Sequence, residues 1–400
     1  MQMEEFEVVV VGAGVLGLTI ARAFTRFGIR SVLVLEKERE LGVHSSGRSS
    51  GVMHAGLYYA TDSLKADFCA RGAWAWRVYA HERSISWRST GKVVVAQDAA
   101  SVPRLAKLEE RARANGVRIE RLTLDQLRRV EPYAKSHEFA LHSPHTAVID
   151  TTKALEALRA ELEEAGVVIR LSSEVIDVDD AAQIVRVGDQ EIGYGHLVNA
   201  AGLHADRIAH ACGVGLEYLF MPFRGSYQRL TLGAARQIRG SIYPTPDPAL
   251  PFLGIHLTRG VDGGVTIGPN AFPAFGREHY HGREGIDYAE AREILWRLTK
   301  MLLFNTSGVR SLAIAELRHR YRPAFVRSVQ ALAPSVQSRE IVAHSKVGIR
   351  AQLVRRDTSE FVMDFVVERG PHSTHVLNAV SPGFTCAFPF AEHVVGVATA

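Results

Sequence analysis

The stretch Glu7-Val8-Val9-Val10-Val11-Gly12-Ala13-Gly14-Val15-Leu16-Gly17 decides the fold. Four consecutive valines suit a strand buried on both faces, and the G-x-G-x-x-G that follows belongs at a turn from strand to helix. Gly12 permits the tight turn, Gly14 lets backbone approach a pyrophosphate, and Gly17 lets the new helix lie close against the sheet. The free N–H groups of that helix then point at phosphate. Working outward, residues 15–27 form an apolar helical stretch stopped by Gly28, and residues 31–35 read as a second strand closed by Glu36. Glu36 stands 19 residues beyond Gly17, where a carboxylate can accept hydrogen bonds from a ribose diol. The complete strand, helix and strand point to a dinucleotide and leave NAD and FAD both open.

With 400 residues and 46% hydrophobic content, the chain can bury a large core in two or three domains and is not a disordered protein. Its 47 Lys and Arg against 43 Asp and Glu give a net charge of +4 without a long basic run, which argues against nucleic acid as a partner. A locally positive pocket for a small acid stays compatible with that charge. Cys69, Cys212 and Cys386 are too far apart to suggest a disulfide framework or a C-x-x-C metal site, so no metal is expected and a reducing, cytoplasmic location is. The start, Met1-Gln2-Met3-Glu4-Glu5, is acidic where a targeting peptide would be basic. The uncharged run 8–21 is shorter than the roughly 20 residues that span a bilayer. No transmembrane segment is expected, and membrane contact, if made, would be peripheral on the inner face.

After Glu36 comes a stretch from Gly42 to Tyr59 rich in Gly and Ser, but carrying His44, Arg48 and His54 and ending in an aromatic pair. Its amides, hydroxyls and small residues suit a phosphate or a flavin ring better than a flexible linker. A helix is expected from Ser63 to about Glu82, with Leu64, Phe68, Trp74 and Val78 apolar, then a strand at 90–96 and a helix from Val102 closed by Gly116. Thr123 and Gln126 have capping-box spacing. From Asp150 the pattern is again that of a nucleotide-binding unit, with a helix carrying Leu155, Leu158 and Leu162, strands near 167–171 and 174–178, and a strand ending in Ala200-Ala201-Gly202. Residues 216–340 alternate and are rich in turns, as in an antiparallel sheet, with a helix at about 288–303 and another within 309–332. A late strand and helix, from His375 through Ser381 to Thr385, would complete the first sheet. The expected fold is α/β: a Rossmann-like cofactor domain from residues 1–88, 143–215 and 341–400, with a sheet-rich cap from 89–142 and 216–340.

A run of motifs then resembles one family: Ser50-Gly51-Val52-Met53-His54-Ala55-Gly56-Leu57-Tyr58-Tyr59, Pro222-Phe223-Arg224-Gly225, Tyr243-Pro244-x-Pro246-Asp247, Pro251-Phe252-Leu253-Gly254-Ile255-His256-Leu257-Thr258, Gly268-Pro269-Asn270-Ala271 and Gly348-Ile349-Arg350-Ala351-Gln352. In this order they are similar to L-2-hydroxyglutarate dehydrogenases and oxidases, within the D-amino-acid oxidase-like FAD enzymes that also include glycine oxidases and glycerol-3-phosphate dehydrogenases. The resemblance implies FAD as cofactor. Motif and resemblance together name its contacts as Gly12, Gly14, Val15, Leu16, Gly17, Glu36, Lys37, Ser45, Ser46, Arg48, Ser49, Ser50, Gly51, Val175, Ala200, Ala201, Gly202, Ser381, Pro382, Gly383, Phe384 and Thr385. The chain departs from the family loop Ser-Pro-Ala-Ala-Thr-Ser with Ser381-Pro382-Gly383-Phe384-Thr385-Cys386, which puts a bulky Phe384 where the flavin pyrimidine edge is expected. His44, His54 and Cys386 are the conceivable anchors for covalent attachment.

The implied reaction is oxidation of a 2-hydroxy acid, with L-2-hydroxyglutarate going to 2-oxoglutarate, and with oxygen, a quinone or an electron-transfer carrier as electron acceptor. An amine or amino acid oxidase on the same scaffold, or a flavin-binding protein without turnover, are the alternatives. His54 is the candidate base, since imidazole has an ordinary pKa near 6.5 and the motif lies beside the flavin. Arg350, expected at the start of a late loop, would hold the substrate carboxylate in a bidentate fork. Arg224 would bind the second carboxylate or brace the cap. Tyr59, Tyr243, His256 and Asn270 are candidates for further hydrogen bonds to a diacid, and Lys65 and Lys92 could serve the same end.

Overall fold

The structure is a computed structural model that describes residues 3–247 and 252–400. Met1, Gln2 and Pro251, which figure in the sequence motifs above, lie outside the described residues. The valine strand Glu4–Val11 is the centre of an eight-stranded sheet. Its five parallel strands run in the spatial order Val168–Arg170, Val32–Leu35, Glu4–Val11, Gln190–Asn199, Ser373–Asn378. Val8 and Val10 enter one core and Val9 and Val11 another, so the run is buried on both sides, as parallel strands require. Helix Val15–Phe27 covers the first face together with Thr151–Glu164 and Gly383–Thr399. Gly28, left-handed at φ 104°, ends that first helix.

Helix Leu64–Glu82 packs on the far side of Gly383–Thr399. Trp74 and Val78, expected among its apolar positions, are 66% and 39% exposed, while Trp76 is fully buried. The ring of Trp76 stacks on Phe384 at 4.8 Å and its Nε1 donates to the Phe384 carbonyl at 2.7 Å, which fixes which face turns inward.

The second large sheet has nine strands. Lys92–Val95, Glu120–Thr123 and Phe139–Ser143 form one wing, joined through the parallel pairing of Lys92–Val95 with Ser241–Pro244 to strands His256–Arg259 and Val265–Gly268. Its longest element is an antiparallel ladder between Tyr218–Leu230 and Ile341–Arg355, in register from Tyr218 opposite Arg355 to Leu230 opposite Ile341. The strand Ile341–Arg355, which the expected boundary at residue 341 gives to the cofactor part, hydrogen-bonds along Tyr218–Leu230 of the cap part. Arg350 therefore sits in mid-strand opposite Phe223, not at the start of a loop. The single helix expected within 309–332 is two, Val309–His319 and Arg322–Leu332, because Pro323 begins a new helix where it could not continue the old one.

Candidate active site

A cavity of about 810 Å³ lies where the carboxyl ends of the parallel strands meet the second sheet. The glycine turn forms part of its wall. Gly12 has φ 102°, and a Cβ there would come within 2.6 Å of the Ala200 carbonyl oxygen, so only glycine lets the two strand ends meet. A Cβ on Gly17 would stand 1.8 Å from the Gly12 oxygen. Gly17 thus sets the helix against the turn and does not itself reach the cavity, whereas Gly12, Gly14, Val15 and Leu16 line it. Glu36, at the end of the second strand, accepts from Ala13 N at 2.9 Å and Glu38 N at 3.0 Å. Its carboxylate braces the turn and still faces the cavity beside Lys37.

The Gly- and Ser-rich stretch closes over this turn. Ser46 Oγ accepts from Val15 N at 2.9 Å at the open end of the first helix. Ser45, Ser46, Arg48, Ser49, Ser50 and Gly51 all line the cavity, and the Ser49 hydroxyl is buried with no partner. Arg48 donates to the carbonyls of Val43 and Val347 and lies 4.0 Å from the Tyr280 ring centre, tying this loop to the cap. Val175, Ala200, Ala201, Gly202, Ser381, Pro382, Gly383, Phe384 and Thr385 complete the same wall. Phe384 is turned onto Trp76, so its bulk is partly taken up by the core. A turn that excludes Cβ atoms, an orphan hydroxyl and a cavity of this volume together fit an FAD.

His54, Tyr243, His256, Asn270 and Arg350 share that cavity. The His54 backbone N–H donates to Thr385 Oγ1 at 3.1 Å, which ties the loop to the start of the last helix. Its Nδ1 is buried without a partner among the described residues. Burial, then the charges of Lys92 and His256, pulls its pKa down to about 3, so the imidazole is neutral and able to take a proton. His256 Nδ1 lies 2.8 Å from the Gly254 carbonyl, which makes that nitrogen the donor and leaves Nε2 an acceptor. Asn270 Oδ1 accepts from Ser226 N and Oγ, leaving its NH₂ for other partners. Arg350 lies over the Phe252 ring at 4.8 Å, and among the described residues no carboxylate forms an ion pair with it. Burial pulls its pKa down and the phenols of Tyr59 and Tyr227 oppose that, but a guanidinium stays charged at any ordinary pH.

Four candidate substrate residues do not line the cavity. Arg224 is one strand position away from Phe223 and Gly225, which do, and alternation turns it to the other side, where it contacts His279 and the Tyr280 carbonyl. Tyr59 packs against the core of the first sheet. Lys65 donates to the Met363 carbonyl and Lys92 is buried behind Tyr243; neither lines the cavity. Tyr227, Phe252 and Leu253 do line it without having been expected to, although Tyr227 shares the strand face of Phe223.

At the rim, Lys37 bonds Glu38 and lies 2.7 Å from Glu278, a cap residue that His204 also holds at 2.9 Å. Hydrogen bonding from His204, then from Lys37, brings the Glu278 carboxyl down to about 2. Glu38, His44 and Glu278 have the spacing of metal ligands, but the Lys37 ammonium already pairs with both carboxylates.

The model of the FAD dependent oxidoreductase family matches residues 7–396. The chain is 34% identical to the mitochondrial L-2-hydroxyglutarate dehydrogenase of Nematostella vectensis over 98% of its own length and 90% of that protein. It is 32% identical to the L-2-hydroxyglutarate dehydrogenase of Salmonella houtenae over 98% and 92%. Among solved structures, the L-alpha-glycerophosphate oxidase of Mycoplasma pneumoniae with FAD bound superposes with a TM-score of 0.79 at 18% identity, covering 100% of this chain and 96% of that one.

Proposed function

Because the chain belongs to the FAD dependent oxidoreductases and, within them, to the L-2-hydroxyglutarate dehydrogenases, we propose that it oxidises L-2-hydroxyglutarate to 2-oxoglutarate with FAD as cofactor. One observation supports this reading above the others: a half-buried guanidinium without a carboxylate partner among the described residues, Arg350, shares a cavity with a neutral imidazole, His54, and with a glycine turn. Bound FAD supplies the acceptor for the hydride that leaves C2 of the substrate. The turn, Glu36, Lys37, Ser46, Ser49, Ala200 and the start of the last helix would hold that cofactor. Arg350 fixes the plane of the C1 carboxylate, and His54 takes the hydroxyl proton. His256, Tyr243, Tyr227 and the Asn270 amide offer hydrogen bonds to the rest of a diacid.

The test is to mix the purified yellow protein, without air, with L-2-hydroxyglutarate, its D enantiomer, glycine and L-glutamate, and to follow the visible absorption of oxidised flavin. Bleaching by L-2-hydroxyglutarate alone is expected. Bleaching by an amino acid in its place would assign the site to an amino acid oxidase, the runner-up on this scaffold.

No helix among the described residues is long and apolar enough to cross a membrane. Peripheral attachment is supported by the two helices Tyr288–Phe304 and Val309–His319. Leu295, Trp296, Leu303 and Phe304 are exposed on the first, and Ile314 and Leu317 on the second. Arg310 joins the two by donating to the Leu302 and Leu303 carbonyls. Residues 288–332 hold eight Arg and Lys against three Glu, so the net positive charge of the whole chain resides there. Leu, Phe and Trp ringed by Arg suit the headgroup region of an anionic bilayer, and such a seat favours a quinone in that bilayer over oxygen as electron acceptor. Vesicles rich in phosphatidylglycerol should pull the protein down in sedimentation, and Phe304→Glu with Leu303→Glu should release it. A dimer at high concentration without vesicle binding would give this face to a second copy instead.

A further inference from the structure

Between strand Phe272–Pro273 and helix Tyr288–Phe304 the cap carries a loop, residues 276–286, whose ends meet: Asp287 N donates to the Phe275 carbonyl at 3.0 Å. A Cβ on Gly276 would stand 2.0 Å from the Gly285 oxygen, so the two sides of the loop touch through backbone. Inside it His279, 5% exposed, accepts at Nδ1 from Phe275 N at 3.1 Å, which makes Nε2 the donor to the Gly282 carbonyl at 2.9 Å. The loop thus holds its own shape, as compact Ω-loops do. The bonds from its tip to the cofactor part are made by side chains. Glu278 takes Lys37 at 2.7 Å and His204 at 2.9 Å. With His44 Nε2 donating to the Glu38 carboxylate at 2.9 Å, a neutral His44 accepts at Nδ1 from the Tyr280 hydroxyl at 2.7 Å. The Tyr280 ring in turn covers the Arg48 guanidinium, which lies 4.0 Å from its centre.

The four residues held in this way, Lys37, His44, Arg48 and His204, all line the cavity beside Glu36 and the glycine turn, whereas Glu278 and Tyr280 do not. The side chains of Lys37, Glu38, His44, His204 and Glu278 are 22% to 36% exposed, so these contacts lie at the rim, where water and salt weaken them. Farther back, Arg277 anchors the foot of the loop by bonding Asp206, 2% exposed, at 3.0 Å and Glu290 at 2.6 Å. A loop with a fixed shape, a buried anchor at its foot and weak contacts at its tip can lift without unravelling. We propose that residues 276–286 are a latch over the end of the cavity that takes the ADP half of FAD. Glu278 and Tyr280 are its positioning residues, acting through Lys37, His204, His44 and Arg48. Entry and release of FAD then require these contacts to open. This rests on the ADP half lying against Glu36 and the glycine turn.

The experiment measures FAD release from the holoenzyme and rebinding to the apoprotein, both followed by flavin fluorescence, for the native chain, Tyr280→Phe, Glu278→Gln and the two combined. Loosening a latch lowers the barrier in both directions, so release and rebinding should both quicken, release by roughly tenfold in the double variant. Anaerobic reduction of the bound flavin by L-2-hydroxyglutarate should keep its native rate, since neither residue lines the cavity. Native release should quicken as sodium chloride rises from about 0.05 to 0.5 M, and release from Glu278→Gln should respond less, because the ion pair that salt screens is gone. Native rates of release and rebinding in the double variant overturn the proposal. So does faster release with rebinding unaltered, which would make the two residues fixed supports of the bound state. Glu36→Ala separates this inference from its premise. If that variant retains FAD as the native protein does, the placement of the ADP half is wrong and the latch falls with it; if it loses FAD while the double variant exchanges at native rates, the latch alone falls.

Discussion

Replacing His54 by alanine should slow the reduction of bound flavin by L-2-hydroxyglutarate about a hundredfold or more, while the protein stays yellow and folded. The effect is expected to be confined to chemistry because the fold makes little use of this side chain. The backbone amide of His54 holds Thr385, but the ring Nδ1 bonds nothing among the described residues. A half-buried, neutral imidazole in the same cavity as Arg350 is the group best placed to take the hydroxyl proton, and water admitted by the smaller side chain is a far poorer base at neutral pH. Rapid mixing without air measures the step directly. A variant that bleaches at the native rate removes His54 from this role.

Arg350→Met should weaken the binding of substrate and of 2-oxoglutarate by more than a hundredfold, the loss of about 3 kcal/mol expected for two hydrogen bonds to a charged partner. Arg350→Lys keeps the charge but loses the fork and should fall between, at roughly tenfold. The same methionine variant should melt no lower than the native protein. Arg350 is a half-buried cation in the cavity wall without an ion-pair partner among the described residues, so the free enzyme carries the cost of its partial desolvation. Affinity and stability moving in opposite directions would separate a ligand-binding arginine from a structural one. Unaltered affinity for 2-oxoglutarate would sink the assignment.

What could be read from sequence follows the range of the interactions. The valine strand, the glycine turn and Glu36 are announced by a pattern within forty residues, and they stand where that pattern puts them. The capping box at Thr123 and Gln126 is equally local and forms in full. Side assignments in the second sheet were not legible, because they depend on partners more than a hundred positions away. Gly348-Ile349-Arg350 has no marked alternation of its own, and it becomes a strand only by lying along Phe223 and its neighbours. That same register turns Tyr227 toward the cavity and Arg224 away from it. In helix Leu64–Glu82, the contact with Phe384 chose Trp76 over Trp74 for the interior, and nothing within the helix announces it. Lys92 was visible as a lysine in a strand, but its isolation between two aromatic rings is a property of packing alone.

The ladder between Tyr218–Leu230 and Ile341–Arg355 has a bearing on biosynthesis. The first sheet lacks Ser373–Asn378 and its covering helix, and the second lacks the partner along one side of Tyr218–Leu230, until the stretch from Ile341 onward has emerged from the ribosome. More than three hundred residues, with their apolar strands already made, must wait for it. Closure of such distant pairs is slow, and unpaired edges invite association with other chains in the meantime. Nascent copies of this protein should accordingly depend on chaperones until late in translation, and a stop codon a little before Ile341 should yield inclusion bodies rather than a functional half.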